Sequence, residues 1–396
     1  MLSVAEAKQI IDEHTKALSP VKMQLKDAAG FILAEDIFSP MDIPVFHQAA
    51  MDGYAVSFKG WKDNKRLKIQ GVVQAGLNND VLSSPKNAMR IFTGAVVPPG
   101  ADTIVMQEKA TVSNELLIIE DESLSEGKYV RLKGSEIKTG DLALAKDSVL
   151  RPAAIGFLIG IGITEVSVYP IPVISIIVTG NELQEPGQPL KKGQVYESNS
   201  YTLKAALKQF YLDEQVKLFS ASDDLKILTA VLQQAMQQSD VIFLTGGVSV
   251  GDFDFVPKAI EQNGITKIFH KIKQKPGKPF FFGKKADKYI FGLPGNPSSV
   301  LTCFYEYVLP ALEKMSNQKY DLQKIKMPLA NDFNKPPGLT HFLKGYYDGE
   351  KVTILDAQES FRLSSFARAN CLIQIDEEIT EIKKGKVVEI HLLPDK

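Results

Sequence analysis

Cysteine is nearly missing from this sequence: Cys303 and Cys371 are the two in 396 residues. They are too few and too far apart for a disulfide framework or a zinc site, and they fit a reducing compartment. Histidine is scarce as well, and His14, His47, His270, His341 and His391 fall at no ligand spacing. That scatter supports neither a histidine-bound metal nor a Ser-His-Asp arrangement. No surplus of either charge exists, because 46 Lys+Arg face 47 Asp+Glu for a formal net charge of −1. A bulk nucleic-acid binder needs a basic excess, so any cationic site must be local. No apolar run reaches membrane-spanning length without interruption by Gly or Pro. The opening residues MLSVAEAKQI lack the features of a leader peptide. Together these absences predict a cytoplasmic protein with no membrane or nucleic-acid partner.

What is present is a globular composition, 44% hydrophobic and 23% charged, in a chain long enough for roughly two to four domains. Ser3 followed by Glu6 reads as a capping box that opens a helix running to about Leu18. This first segment, 1–20, is expected to pack on a later sheet domain. Residues 21–46 and 140–169 read as an extended connecting domain. Between them, 47–139 holds short β-like runs (LKIQGVV, MRIFTG, TIVMQ, LLIIE) and predicts a β-rich lobe. From 170 to 318 the pattern changes to apolar strands alternating with helical segments near 198–210, 223–238, 255–263 and 297–314. Continuous apolar strands with crossover helices predict a parallel sheet covered on both faces, a three-layer α/β/α domain. Residues 319–396 return to short strands (KIKMPLA, HFLKGYY, CLIQID, VVEIHLL) and predict a small β-barrel.

In parallel sheets ligands gather beyond the carboxyl ends of the strands. The loops after three of these strands are VTGNEL, LTGGVSVGDFD and GLPGNPSS. In the last, Asn296 is placed to cap a helix whose first position is Pro297, and the amides behind it, with Ser298 and Ser299, suit an anion. In the second, Gly246, Gly247 and Gly251 let backbone amides approach a ligand while Ser249 adds a hydroxyl. Asp252 and Asp254 would repel a bare phosphate. They make sense where a divalent cation bridges carboxylate and phosphate, and equally as caps of the next helix. Glu182 in TGNEL and Asp223 and Asp224 stand near the same rim, and one of the paired aspartates reads as a helix N-cap. In IFHKIKQKPGKPF, read as a strand, Lys271, Lys273 and Lys275 project to one face, and the turn adds Lys278. Such a run is ordinarily a solvated face, but behind a buried strand in a chain of balanced charge it suits a multiply charged oxyanion. In the β-rich lobe, Asp52 of AAMDGYAV and Thr93 of RIFTGAVVPPGAD each precede a glycine.

In order and spacing, MDGYAV, RIFTGAVVPPGAD, IVTGNEL, TGGVSVGDFD, KPGKPFFFG and GLPGNPSS closely resemble the MoeA family, relatives of the E domain of gephyrin and its plant counterpart. The resemblance spans essentially the whole chain, to SSFARANC near the end. It implies molybdopterin molybdenumtransferase activity: adenylylated molybdopterin and molybdate are the substrates, and AMP is released with Mg²⁺ assistance. It also implies a homodimer in which the β-rich lid faces the partner's sheet domain, and contact with other proteins of molybdenum cofactor biosynthesis. By the same resemblance Asp52, Thr93, Glu182, Asp223 and Asp254 are catalytic, and the last three hold the metal. Gly246, Gly247, Ser249, Lys271, Lys275, Lys278, Pro294, Asn296, Pro297, Ser299 and Ser365 contact substrate. Glu136 and Lys344 join them, although the family often has aspartate at the first position and usually arginine at the second. A lysine keeps the cation but loses the planar fork of arginine. Two other readings are adenylyl transfer from ATP on the shared sheet domain and a gephyrin-like scaffold without catalysis. The lid and barrel argue against the first, and the lack of fused domains against the second.

Overall fold

A computed structural model of the protein describes residues 1–76, 81–247, 255–320 and 322–394. The chain divides into two units, Met1–Val21 with Tyr169–Lys396, and Lys22–Val168.

In the larger unit, six strands form one sheet: β1 (Ile174–Thr179), β2 (Val216–Ala221), β3 (Val241–Thr245), β4 (Thr266–His270), β5 (Phe281–Lys285) and β6 (Lys288–Leu293). Their order is β2-β1-β3-β6-β5-β4: the first four are parallel, β5 pairs antiparallel to β6, and β4 pairs antiparallel to β5. Helices that accompany them include α1 (Val4–His14), α2 (Asn199–Lys208), α3 (Leu225–Gln238), α4 (Val256–Gln262) and α5 (Pro297–Cys303). Side chains alternate across a strand, so Ile174, Ile176 and Val178 face one layer and Ile177 the other. The first face takes α1, α2 and α5 through Val4, Ile11, Leu203, Leu207 and Val300. The second takes α3 and α4 through Leu228, Leu232, Ala259 and Ile260. Each fully buried Leu or Ile contributes about 1.5–3 kcal/mol, which makes both layers necessary to the sheet.

The expected capping box is present, with Ser3 and Glu6 bonded reciprocally. The helix is shorter than predicted and stops at His14, because the following backbone finds partners elsewhere. Lys16 N–H donates to the Tyr289 hydroxyl and Leu18 N–H to the Met315 carbonyl at 2.8 Å. At the other end of the unit, α5 runs on through a wider π turn, Phe304–Val308, into a last helical stretch, Leu309–Ser316.

The C-terminal strands Lys324–Pro328, Val387–Leu392, Cys371–Ile375, Thr340–Tyr347 and Val352–Ile354 pair in that order. A bridge between Leu329 and Val352 joins the last strand back to the first, closing a small barrel around Leu343, Ile373, Val388 and Ile390. A short strand, Gln274–Lys275, adds in parallel to Thr340–His341 at its edge.

The smaller unit has three hydrophobic clusters among the described residues. One gathers Leu25, Leu33, Leu150, Leu158 and Val168 with the helix Pro152–Gly160. The other two, one with Ala55, Met89 and Ile104 and one with Val56, Ala88 and Val105, lie against a six-stranded sheet that includes Gly53–Val56, Asn87–Ile91 and Thr103–Met106. No helix among the described residues is long and apolar enough to cross a membrane.

Candidate functional site

Three bends meet at the carboxyl rim of the parallel strands. A Cβ placed on Gly246 (φ +89°) would lie 2.4 Å from the Thr179 carbonyl oxygen, and one on Gly295 would lie 3.8 Å from Gly246 Cα. Positive φ and this contact both require glycine at 246, so the bend after β3 sits against those after β1 and β6. Asn199, opening α2, donates Nδ2–H to the Gly295 carbonyl at 2.9 Å. Around this junction the Thr245 and Ser298 hydroxyls and Asn199 Oδ1 are buried without a hydrogen-bond partner among the described residues. Buried polar atoms left unpaired cost about 1–3 kcal/mol each, so such a cluster points to a bound ligand or water. Ser298 is expected at an anion site with Ser299, but Asn199 and Thr245 do not stand out in the sequence. The signal for them is faint: Thr245 merely precedes Gly246, and Asn199 opens an ordinary helix.

The acids at this rim divide by role. Asp224 caps α3, accepting from Ile227 N–H at 2.9 Å. Asp223 instead ties two bends together, accepting from the Thr179 hydroxyl and Asn181 N–H, both at 3.0 Å. Glu182 is exposed beside them. Gly251, Asp252, Asp254 and Ser249 lie outside the described residues. Among the described residues no three Asp, Glu, His or Cys side chains gather to hold a metal.

The lysine-bearing segment departs from the sequence reading. It is not one strand: β4 ends at His270 and Lys271 takes φ +77°, so the alternation that would align Lys271, Lys273 and Lys275 is broken. Lys273 turns to Glu377 in the barrel at 3.5 Å. Lys275 and Lys278 are exposed on the following turn. That turn packs on α5: a Cβ on Gly277 (φ +88°) would lie 2.6 Å from Cys303 Sγ and 3.7 Å from the Ser299 carbonyl oxygen. The PGKP turn and the GLPGNP loop are therefore neighbours. His341, paired with Lys275 through the backbone, is buried. Burial, with the charges of Lys335 and Lys275, pushes its imidazole down to about 4.

The helix N-terminus at Pro297 is not capped as expected. Asn296 occupies the cap position, but its side chain donates to the Ser360 hydroxyl at 2.8 Å, and Ser298 N–H donates to the Ser360 carbonyl at 3.1 Å. A contact 64 residues away outcompetes the local one. Pro297 does hold the first helical position, Pro294 and Ser299 are buried, and Ser299 N–H donates to the Asn296 carbonyl. The Ser360 loop is held from below by two buried groups. Lys344 Nζ donates to the carbonyls of Ala357 (2.7 Å), Arg362 (3.1 Å) and Glu359 (3.4 Å). Ser365 Oγ donates to the same Ala357 carbonyl at 2.7 Å. Burial lowers the Lys344 ammonium from its ordinary value, against the pull of Glu359.

In the smaller unit, Asp52 and Thr93 form one group. The Thr93 hydroxyl and N–H donate to Asp52 Oδ1 at 2.6 and 2.7 Å. The hydroxyl first and the amide second hold the Asp52 carboxyl below its usual range. Glu136 is exposed and its N–H donates to the Ile43 carbonyl.

Comparison with known proteins covers almost the whole chain. Residues 2–162 match the MoeA N-terminal region (domain I and II), 175–314 a probable molybdopterin binding domain, and 326–393 the MoeA C-terminal region (domain IV). A molybdopterin molybdenumtransferase of Haemophilus influenzae is 35% identical over 94% of this chain and 94% of its own length. One from Staphylococcus epidermidis is 33% identical over 99% of this chain and 95% of its own. Two crystal structures of molybdopterin biosynthesis MoeA proteins from Pyrococcus horikoshii superpose with TM-scores of 0.83 and 0.74, at 29% and 28% identity. Each covers 99% of this chain, and the chain covers 99% and 100% of theirs.

Proposed function

Because this chain belongs to the MoeA family, we propose that it is a molybdopterin molybdenumtransferase that inserts molybdate into adenylylated molybdopterin and releases AMP. The observation that carries the proposal is the rim itself: three touching bends with buried hydroxyls that have no partner among the described residues, next to a segment bearing Lys275 and Lys278.

Backbone amides at Gly246 and Gly247, with the hydroxyls of Thr245, Ser298 and Ser299, take the phosphate-bearing substrate. Pro294, Asn296 and Pro297 complete that wall, and Ser249 is assigned a substrate contact on the resemblance alone. Lys271, Lys275 and Lys278 receive molybdate, a compact dianion that rewards several cations at once. Lys344 and Ser365 act on the barrel side, and an oxyanion taking their donors would displace the Ala357 carbonyl. Glu182, Asp223 and Asp254 are assigned catalytic roles on the sheet unit; on the smaller unit, Asp52, held ionised by Thr93, is assigned one as well, and Glu136 a substrate contact. Glu182 and Asp223 offer carboxylate oxygens beside a phosphate-binding rim, which suits Mg²⁺, an ion that takes a few carboxylates and otherwise phosphate and water. A bound Mg²⁺ would neutralise charge on the phosphoanhydride. The protein works as a homodimer in the cytoplasm and meets other proteins of cofactor biosynthesis.

The test supplies purified protein with adenylylated molybdopterin, Mg²⁺ and molybdate. AMP and active cofactor are expected, with no ATP consumed. ATP-dependent adenylylation of molybdopterin would assign the sister activity instead, and formation of neither product would overturn the proposal.

A further inference from the structure

The turn that carries Lys275 and Lys278 is held from inside by a side chain that never reaches solvent. Gln274 is 1% exposed. Its Nε2 donates to the Pro276 carbonyl at 2.9 Å and to the Gly277 carbonyl at 3.4 Å. Its Oε1 accepts from the Tyr307 hydroxyl. The orientation of this amide is not ambiguous: carbonyl oxygens only accept, so the NH₂ group must face the turn and the oxygen must face the tyrosine. Tyr307 is itself 1% exposed and packs its ring on Phe280, with centroids 5.0 Å apart. It belongs to the π turn Phe304–Val308, where Glu306 beside it is locked by Lys8 at 2.5 Å and His391 at 2.6 Å. The chain of contacts thus runs from a doubly anchored helix turn, through one hydroxyl and one amide, to the two carbonyls that lie between Lys275 and Lys278. Gly277 leaves this arrangement no slack, since a Cβ there would meet Gln274 Nε2 at 2.8 Å.

We propose that Gln274 and Tyr307 are positioning residues for the oxyanion substrate: they set where Lys275 and Lys278 stand and touch no substrate themselves. The proposal rests on Lys275 and Lys278 being the oxyanion ligands. An amide is the right group for this task because one planar unit supplies two donors and an acceptor in a dry interior. A lost contact lets the turn shift, and shifts near 1 Å at a charged site are costly in binding geometry.

The experiment measures AMP release by the full-length protein with molybdate varied, for wild type, Tyr307→Phe, Gln274→Leu and Lys275→Ala. Melting temperature is recorded for each. Tyr307→Phe keeps the ring packing and removes a single hydroxyl. Its KM for molybdate is expected to rise about tenfold, with kcat at saturating molybdate within about twofold and KM for adenylylated molybdopterin unchanged. Gln274→Leu should raise it further. A merely structural role would lower the melting temperature and leave the molybdate KM alone. If Gln274→Leu does not fold, Tyr307→Phe carries the test. Wild-type molybdate KM in Tyr307→Phe, with a raised one in Lys275→Ala, overturns the inference and leaves the oxyanion reading standing. An unchanged molybdate KM in Lys275→Ala overturns that reading, and this inference with it.

Discussion

Single residues at the site show which charges the fold fixes. Asp52 owes its low carboxyl range chiefly to one hydroxyl, that of Thr93. Thr93→Val removes the largest cause while keeping the shape, so the Asp52 titration followed by carboxyl-detected NMR should move upward. An unmoved titration would show that the amide suffices. His341 works in the opposite sense. Burial, with Lys335 and Lys275, pushes its imidazole down to about 4 from an ordinary 6.5, so the native state refuses a proton that the unfolded chain accepts between those values. Stability conferred by the neutral ring is full above about 6.5 and is lost as pH falls toward about 4. Melting temperatures of His341→Phe should therefore fall less steeply than wild type across that window. Equal slopes would place the acid sensitivity elsewhere.

Elements decide what the residues can reach. The apolar runs of β1, β3 and β6 could be read from the sequence because a strand buried on both faces needs no polar alternation, and each ends in a glycine bend. The capping box of α1 could be read for the same local reason. Long-range competition could not. Asn296 looks like a helix cap until the barrel brings Ser360 to it, and nothing in the sequence around Lys344 signals the three carbonyls to which its ammonium donates. The break at Lys271 was hidden because left-handed backbone at a lysine leaves no compositional mark. At this scale two outcomes follow. Gly277→Ala adds a methyl against the buried Cys303 sulfur at a positive-φ position, and should cost about 1–3 kcal/mol in urea unfolding. A stable Gly277→Ala would mean that the turn yields. Glu306, fully buried, feels burial raising its carboxyl, but Lys8 and His391 overcome this and hold it below the usual range. Its stabilisation is present above the unfolded pKa and is lost as pH falls through the lower folded one. Lys8→Met should cost about 3 kcal/mol, the low end for a broken buried pair because Lys8 is partly exposed. Adding Glu306→Gln should recover part of that loss, and a double variant as unstable as the sum would contradict the ion-pair reading.

For the molecule as a whole, the α/β sheet unit with its closed barrel and the separate β-rich unit match the architecture that the strand and helix patterns predict. The oxyanion and phosphate sites are read as one reaction surface, since the PGKP turn rests on the helix that begins at GLPGNP. The most direct test of that reading is a single-turnover reaction in which AMP released and molybdenum bound to the pterin product are both counted. One molybdenum for each AMP, with neither formed in the absence of molybdate, is the predicted result. AMP released freely without molybdenum transfer would contradict the account.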